Sequence, residues 1–144
     1  MGAKHLFVII FILLNQLCFS QQTGSIKIFS IPNKLCIEGK ITEEIVRDTT
    51  NSFVTYIELS DEVLISNFLT ASSILNCYSV SNDYRNKSPR IIIDYELTSS
   101  LKPNSEVNGT IFLYPGYLVN QKGIFFRNFE LHRYIEKILN QSKE

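Results

Sequence analysis

The chain has 144 residues, 44% of them hydrophobic, and its 14 basic and 14 acidic side chains cancel to a formal charge of zero. With no basic block anywhere, the long-range attraction that drives nucleic-acid binding is excluded. What remains is enough apolar sequence for one domain with its own core, and no acidic tail, low-complexity tract or internal repeat.

The opening "MGAKHLFVIIFILLNQLCFSQQ" places Lys4 before nine consecutive apolar residues, 6–14. Asn15 and Gln16 interrupt that run, which is less than half of the roughly 20 apolar residues a bilayer-crossing helix needs. A basic start, a short apolar core and the small Ser20 lay out a secretory signal peptide, cleaved between Ser20 and Gln21. The segment resembles the export signals of many bacterial secreted proteins. That resemblance implies a secreted or periplasmic destination and no activity. The alternative is an uncleaved membrane anchor in which Leu17, Cys18 and Phe19 lengthen the span. Otherwise membrane contact is confined to this segment before cleavage. Residues 1–20 thus stand apart from a single domain over 21–144, which carries 13 basic and 14 acidic side chains.

Within the domain, "SIKIFSIPNKLCIEGK" predicts two short strands about a Pro32-Asn33 turn, with Ile26 and Ile28, then Leu35 and Ile37, in alternation. Thr42 before Glu43 and Glu44 predicts a helix start, because the hydroxyl accepts from an orphan backbone N–H and the acids face the positive dipole end. Ile41 and Val46 stand at hydrophobic-staple positions. "RDTTN" does not continue a helix, so this one is short. "SFVTYIEL" predicts a strand with Phe53, Ile57 and Leu59 on one face and Val54, Tyr56 and Glu58 on the other. Ser60 opens a second helix, with Asp61 and Glu62 in its first turn. Its apolar arc takes in Val63, Leu64, Phe68, Ala71, Ile74, Leu75 and Tyr78, leaving Ile65 and Leu69 off it.

"SVSNDYRNKSP" reads as a loop. "RIIIDYEL" and "GTIFLY" read as strands separated by the turn-rich "TSSLKPNSEVN", and "YLVNQKGIFFRN" as a hairpin in which Gly123 supplies a positive φ. Finally Leu131, Tyr134, Ile135, Ile138 and Leu139 share one face of a helix started by Asn128. The sum is an α+β domain: a mainly antiparallel sheet of five to seven strands with two or three helices packed on one face, the C-terminal amphipathic one among them.

Cys18 leaves with the signal, and in an oxidising compartment the remaining Cys36 and Cys77 are expected to form one disulfide. Neither belongs to a closely spaced pair, so zinc-ribbon chemistry has no support. His132 is the only histidine of the mature chain, which rules out chemistry needing two imidazoles from one copy. It stands at the margin of its helix's apolar face, one turn from Glu136, an arrangement typical of a surface pair. Asp94 and Glu96, two apart in a strand, share a face at a separation of about 6.5–7 Å, a spacing open to an acid–base pair. Alternation, however, buries Ile91, Ile93, Tyr95 and Leu97 and turns both carboxylates to water, where nothing raises their pKa. A Cys77–His132 nucleophilic pair needs a free thiol, which pairing with Cys36 removes. No phosphate-cradling glycine loop, G-x-S-x-G elbow or H-E-x-x-H occurs.

The sequence thus points to no catalytic residue, metal or cofactor, and Asp94, Glu96 and His132 are what a small hydrolase would have to use. For binding, Tyr114 and Tyr117 flank Pro115-Gly116, a tight turn between strands, where tyrosines offer contact area at small entropic cost. The alternative is that both rings cap the sheet core. An exposed sheet edge that accepts a partner's strand is a second mode. The expectation is a small exported binding module for a protein or a small apolar ligand. The alternatives are a small hydrolase and a structural or inhibitory partner of an envelope protein.

Overall fold

The computed structural model describes residues 22–35, 40–73, 76–77, 88–99, 102–114 and 117–142. Among these residues seven strands run in chain order as β1 (Gln22–Ser30), β2 (Thr55–Leu59), β3 (Asn76–Cys77), β4 (Ile91–Ser99), β5 (Lys102–Tyr114), β6 (Tyr117–Asn120) and β7 (Phe125–Arg127). Three helices among the described residues punctuate them: α1 (Glu43–Arg47) before β2, α2 (Glu62–Ser72) after it, and α3 (Phe129–Gln141) after β7. The strands form one sheet in the order β2-β1-β4-β5-β6-β7-β3, and every neighbouring pair is antiparallel. This is the α+β fold that the hydrophobic pattern predicts.

Alternation along each strand divides the sheet into two faces. One carries Ile26, Ile28, Ile93, Leu97, Ile111, Leu113 and Leu118 and is covered by α2 and α3. Helix α3 brings the stripe read from the sequence: Leu131, Ile135, Ile138 and Leu139 are buried and Tyr134 packs beside them. Asn128 caps it as expected, its Oδ1 accepting from the Leu131 N–H at 2.9 Å. The same side chain, 3% exposed, donates to the Ala71 carbonyl at 2.7 Å, while the Tyr134 hydroxyl donates to the Leu64 carbonyl at 2.8 Å. Helix α2 is therefore pinned to α3 near both of its own ends.

Helix α2 keeps Phe68 and Ala71 on its packed face as predicted and departs from the rest of the predicted arc. Ile65 and Phe68 are its buried residues, with Leu69 and Ala71 packed behind, whereas Val63 is 66% exposed. Ser73 closes the helix; Ile74, Leu75 and Tyr78, also placed on the predicted arc, lie outside the described residues. The cap is Asp61 rather than Ser60, its carboxylate accepting from the Val63 and Leu64 N–H groups at 2.9 and 3.1 Å.

The opposite face holds a smaller core of Phe29, Ile31, Ile41, Val46 and Ile92 beneath α1. Thr42 caps that short helix as predicted, its hydroxyl accepting from the Ile45 N–H at 3.4 Å. Two of the three helices thus share one face, and α1 occupies the other. Phe53 packs in this smaller core rather than with Ile57 and Leu59, because a turn holding the Val54 N–H to the Asn51 carbonyl (3.0 Å) delays β2 until Thr55. The turn-rich stretch before Gly109 is also strand: Val107 pairs with Leu97 and Asn108 with Glu96. Ladder bonds to β4 there override a composition of Pro, Asn and Ser, with Pro103 near the strand's start, where a missing N–H is tolerated. The β6–β7 hairpin turns on Gly123 at φ 74°, as expected.

The predicted strand through Ile37, most of the loop before Pro89, and the side chains of the expected Cys36–Cys77 disulfide lie outside the described residues. Among the described residues no helix is long and apolar enough to cross a membrane, and the apolar run within 1–20 is not one of their segments.

Candidate functional site

Asp94 sits on the α1 face, in the row below Ile92. Arg47, in the last turn of α1, reaches down to it: Nε donates to Oδ2 at 3.0 Å and Nη2 to Oδ1 at 2.9 Å. Thr110, its partner across the β4–β5 ladder, donates to Oδ1 at 2.7 Å. Burial by itself would raise the Asp94 pKa. The hydrogen bonds from Arg47 and Thr110, with the charges of Arg47 and Lys27, outweigh it and hold the carboxyl below its ordinary value. Arg47 is raised in turn, chiefly by its bond to Asp94 and against the cost of its own burial. Glu43 accepts from Arg47 Nη1 at 2.9 Å and completes the network.

Asp94 is thus an ionised anchor for α1, the reverse of a proton donor. Glu96 shares its face, as the spacing predicts, and is exposed. Both border a shallow groove of about 350 Å³ lined also by Ser25, Lys27, Asn108 and Gln121. This is a wetted polar sheet face, with α1 half-covering its Asp94 end.

His132 is on the other side of the sheet. Its Nδ1 lies 3.1 Å from the Asn128 carbonyl oxygen and its Nε2 3.4 Å from that of Tyr114. Both partners are carbonyl oxygens, so whichever ring nitrogen carries a proton donates it to the backbone. The ring braces the start of α3 against the end of β5 and is not directed at Glu136. Asp94 and Glu96 are not brought to it, and the Cys77 side chain lies outside the described residues.

The tyrosine pair is brought together. The Tyr114 and Tyr117 rings stack with centroids 4.8 Å apart and planes 8° from parallel. Tyr117 is buried at 3% exposure, and Tyr114 is half-buried. Burial raises the Tyr114 pKa, and the Glu43 carboxylate adds to the effect. Tyr114 forms one wall of a groove of about 540 Å³, whose other walls come from Lys40, Ile41, Thr42, Glu43, Glu44 and Arg47 around α1 and from Ser88 and Pro89 before β4. Pro115 and Gly116 lie outside the described residues.

Sequence reasoning named Tyr114 and missed the rest of this groove. Ile41 and Thr42 carry only a helix-start signal, and no local pattern links them to a residue some seventy positions on. Among the described residues no group of three His, Cys, Asp or Glu side chains could hold a metal ion. No family model, curated protein or solved structure matches the chain. The site is therefore read from its own chemistry.

Proposed function

We propose that this chain is a small exported binding module whose ligand, a small apolar molecule or an apolar side chain of a protein partner, seats in the groove between α1 and the end of β5. The observation that carries the reading is the tyrosine stack: buried Tyr117 fixes the ring of Tyr114, whose remaining exposure borders the groove beside Ile41 and Pro89. An aromatic wall already held in place loses little entropy when a ligand arrives. Lys40, Glu43 and Glu44 at the same groove offer charges that orient a ligand's polar end. Hydrolysis has less support, because Asp94 is engaged by Arg47 and Thr110 and the His132 ring by two carbonyls on the other face.

Amide NMR titration with decanoate, indole and short apolar peptides tests the groove. The expected result is saturable shifts at Ile41, Thr42 and Tyr114 that Tyr114→Ala abolishes while the spectrum stays dispersed. Shifts that gather instead on Lys27, Glu96 and Asn108, or none that saturate, would refute the reading. For export, the intact mass of the protein from its native host should begin at Gln21, with Cys36 and Cys77 alkylated only after reduction. A mass that keeps the apolar run would establish the anchored alternative.

A further inference from the structure

Strand β2 is an edge of the sheet. Among the described residues it pairs with β1 alone; of the devices that blunt such an edge its five residues have shortness and the charge of Glu58, but no proline, lysine or bulge. Three of the six large apolar side chains exposed among the described residues, Tyr56, Val63 and Leu64, fall on this strand and on the first turn of α2 that follows it. The order of side chains along the strand adds a second observation. Tyr56 and Glu58 share a face, the phenol donating to Glu58 Oε2 at 2.9 Å. Ile57 between them turns to the other face, where it packs half-buried against the main core.

A second copy of this strand, laid antiparallel about a two-fold axis through Ile57, sets Tyr56 opposite Glu58 twice and Ile57 opposite its own counterpart. The phenol has one proton, so it is donated to the other copy's Glu58 in exchange for the bond within its own strand, while Lys27, the partner of Glu58 on β1, supplies the compensating charge. No like charges stand directly opposite each other.

We propose that β2 is the interface of a weak two-fold homodimer, in which two sheets join edge to edge through antiparallel Thr55–Leu59 segments with Val63 and Leu64 alongside. Backbone bonds along so short a strand bury little surface, so the dimer forms and dissociates with concentration rather than being permanent. The proposal is independent of the Tyr114 groove.

Sedimentation velocity on the purified protein should show a monomer passing to a dimer as concentration rises. Tyr56→Glu places carboxylates opposite each other at both symmetric positions and should weaken dimerisation by about tenfold. Tyr56→Lys loses the same ring contact with Phe29, 5.2 Å between centroids, but faces Glu58 with an opposite charge and should keep the dimer. A wild-type protein that stays monomeric overturns the proposal. So does a dimer indifferent to Tyr56→Glu, which places the contact elsewhere, and so does equal loss in both variants, which excludes this register. Amide hydrogen exchange of the wild type needs no variant: protection at residues 55–59 should rise with concentration, and unchanged exchange there overturns the interface.

Discussion

Removing the Arg47–Asp94 contact isolates the force that holds α1 on the sheet. The two side chains are 30% and 29% exposed, with two nitrogen–oxygen contacts of 3.0 and 2.9 Å, and Thr110 adds a third bond to the carboxylate. Exposed pairs couple by about 0.2–1 kcal/mol, and breaking a fully buried pair costs about 3–5 kcal/mol. A two-pronged, partly screened pair falls between these, at a coupling of about 1–2 kcal/mol.

The cycle uses Arg47→Met, which keeps an apolar stem, and Asp94→Asn, which keeps an acceptor for Thr110. Urea unfolding of the four proteins at neutral pH gives the coupling directly. Its pH dependence follows from linkage. The Asp94 carboxyl is lowered in the folded state from an ordinary value of 3.8, so the folded protein binds fewer protons there than the unfolded chain. The stabilisation is full above the ordinary value and is lost as pH falls through the lowered one. The coupling should therefore vanish in strong acid. A coupling under about 0.3 kcal/mol at neutral pH, or one that acid leaves unchanged, would refute the assignment of Asp94 as an ionised anchor.

Three further outcomes follow from the packing, each read by chemical denaturation. Asn128→Ala removes both the α3 cap and the donor to the half-buried Ala71 carbonyl and should cost about 2–3 kcal/mol, with Asn128→Ser, which can still cap, losing less. Ile65→Ala should cost about 2–5 kcal/mol and Leu64→Ala, at a residue 37% exposed, under about 1 kcal/mol; equal losses would mean that the buried face of α2 is misassigned. Gly24→Ala should destabilise more than Gly109→Ala. At Gly24 the backbone has φ 144° and a Cβ would strike the Glu96 carbonyl, whereas at Gly109 it would meet the end of the Tyr95 side chain, which can move.

Local chemistry made much of the fold legible. Thr42 and Asn128 are helix caps because a side-chain acceptor beside orphan N–H groups is a local arrangement, independent of the rest of the chain. The stripe from Leu131 to Leu139 is equally self-contained, since its period alone defines a face. Where reading failed, an element's length was set from outside it. Helix α2 stops at Ser72 and β3 follows at Asn76; Phe68 is buried as its spacing predicts, but Ile65, read as off the arc, is buried beside it while Val63 is exposed. Strand β5 extends back to Lys102 because β4 offers it a partner.

The candidate site divides in the same way. Composition and motif alone identified Asp94, Glu96 and His132 as the titratable groups worth testing and Tyr114 and Tyr117 as the aromatic pair. Alternation alone put Asp94 and Glu96 on one face. Only the tertiary structure decided that Arg47, distant in sequence, reaches Asp94, that His132 lies across the sheet from it, and that Tyr117 is buried while Tyr114 borders a groove. The physical reason is range. Caps, alternation and helical stripes depend on neighbours within a few positions, which the chain states outright, whereas ion pairs, stacked rings and groove walls depend on which strands the sheet sets side by side.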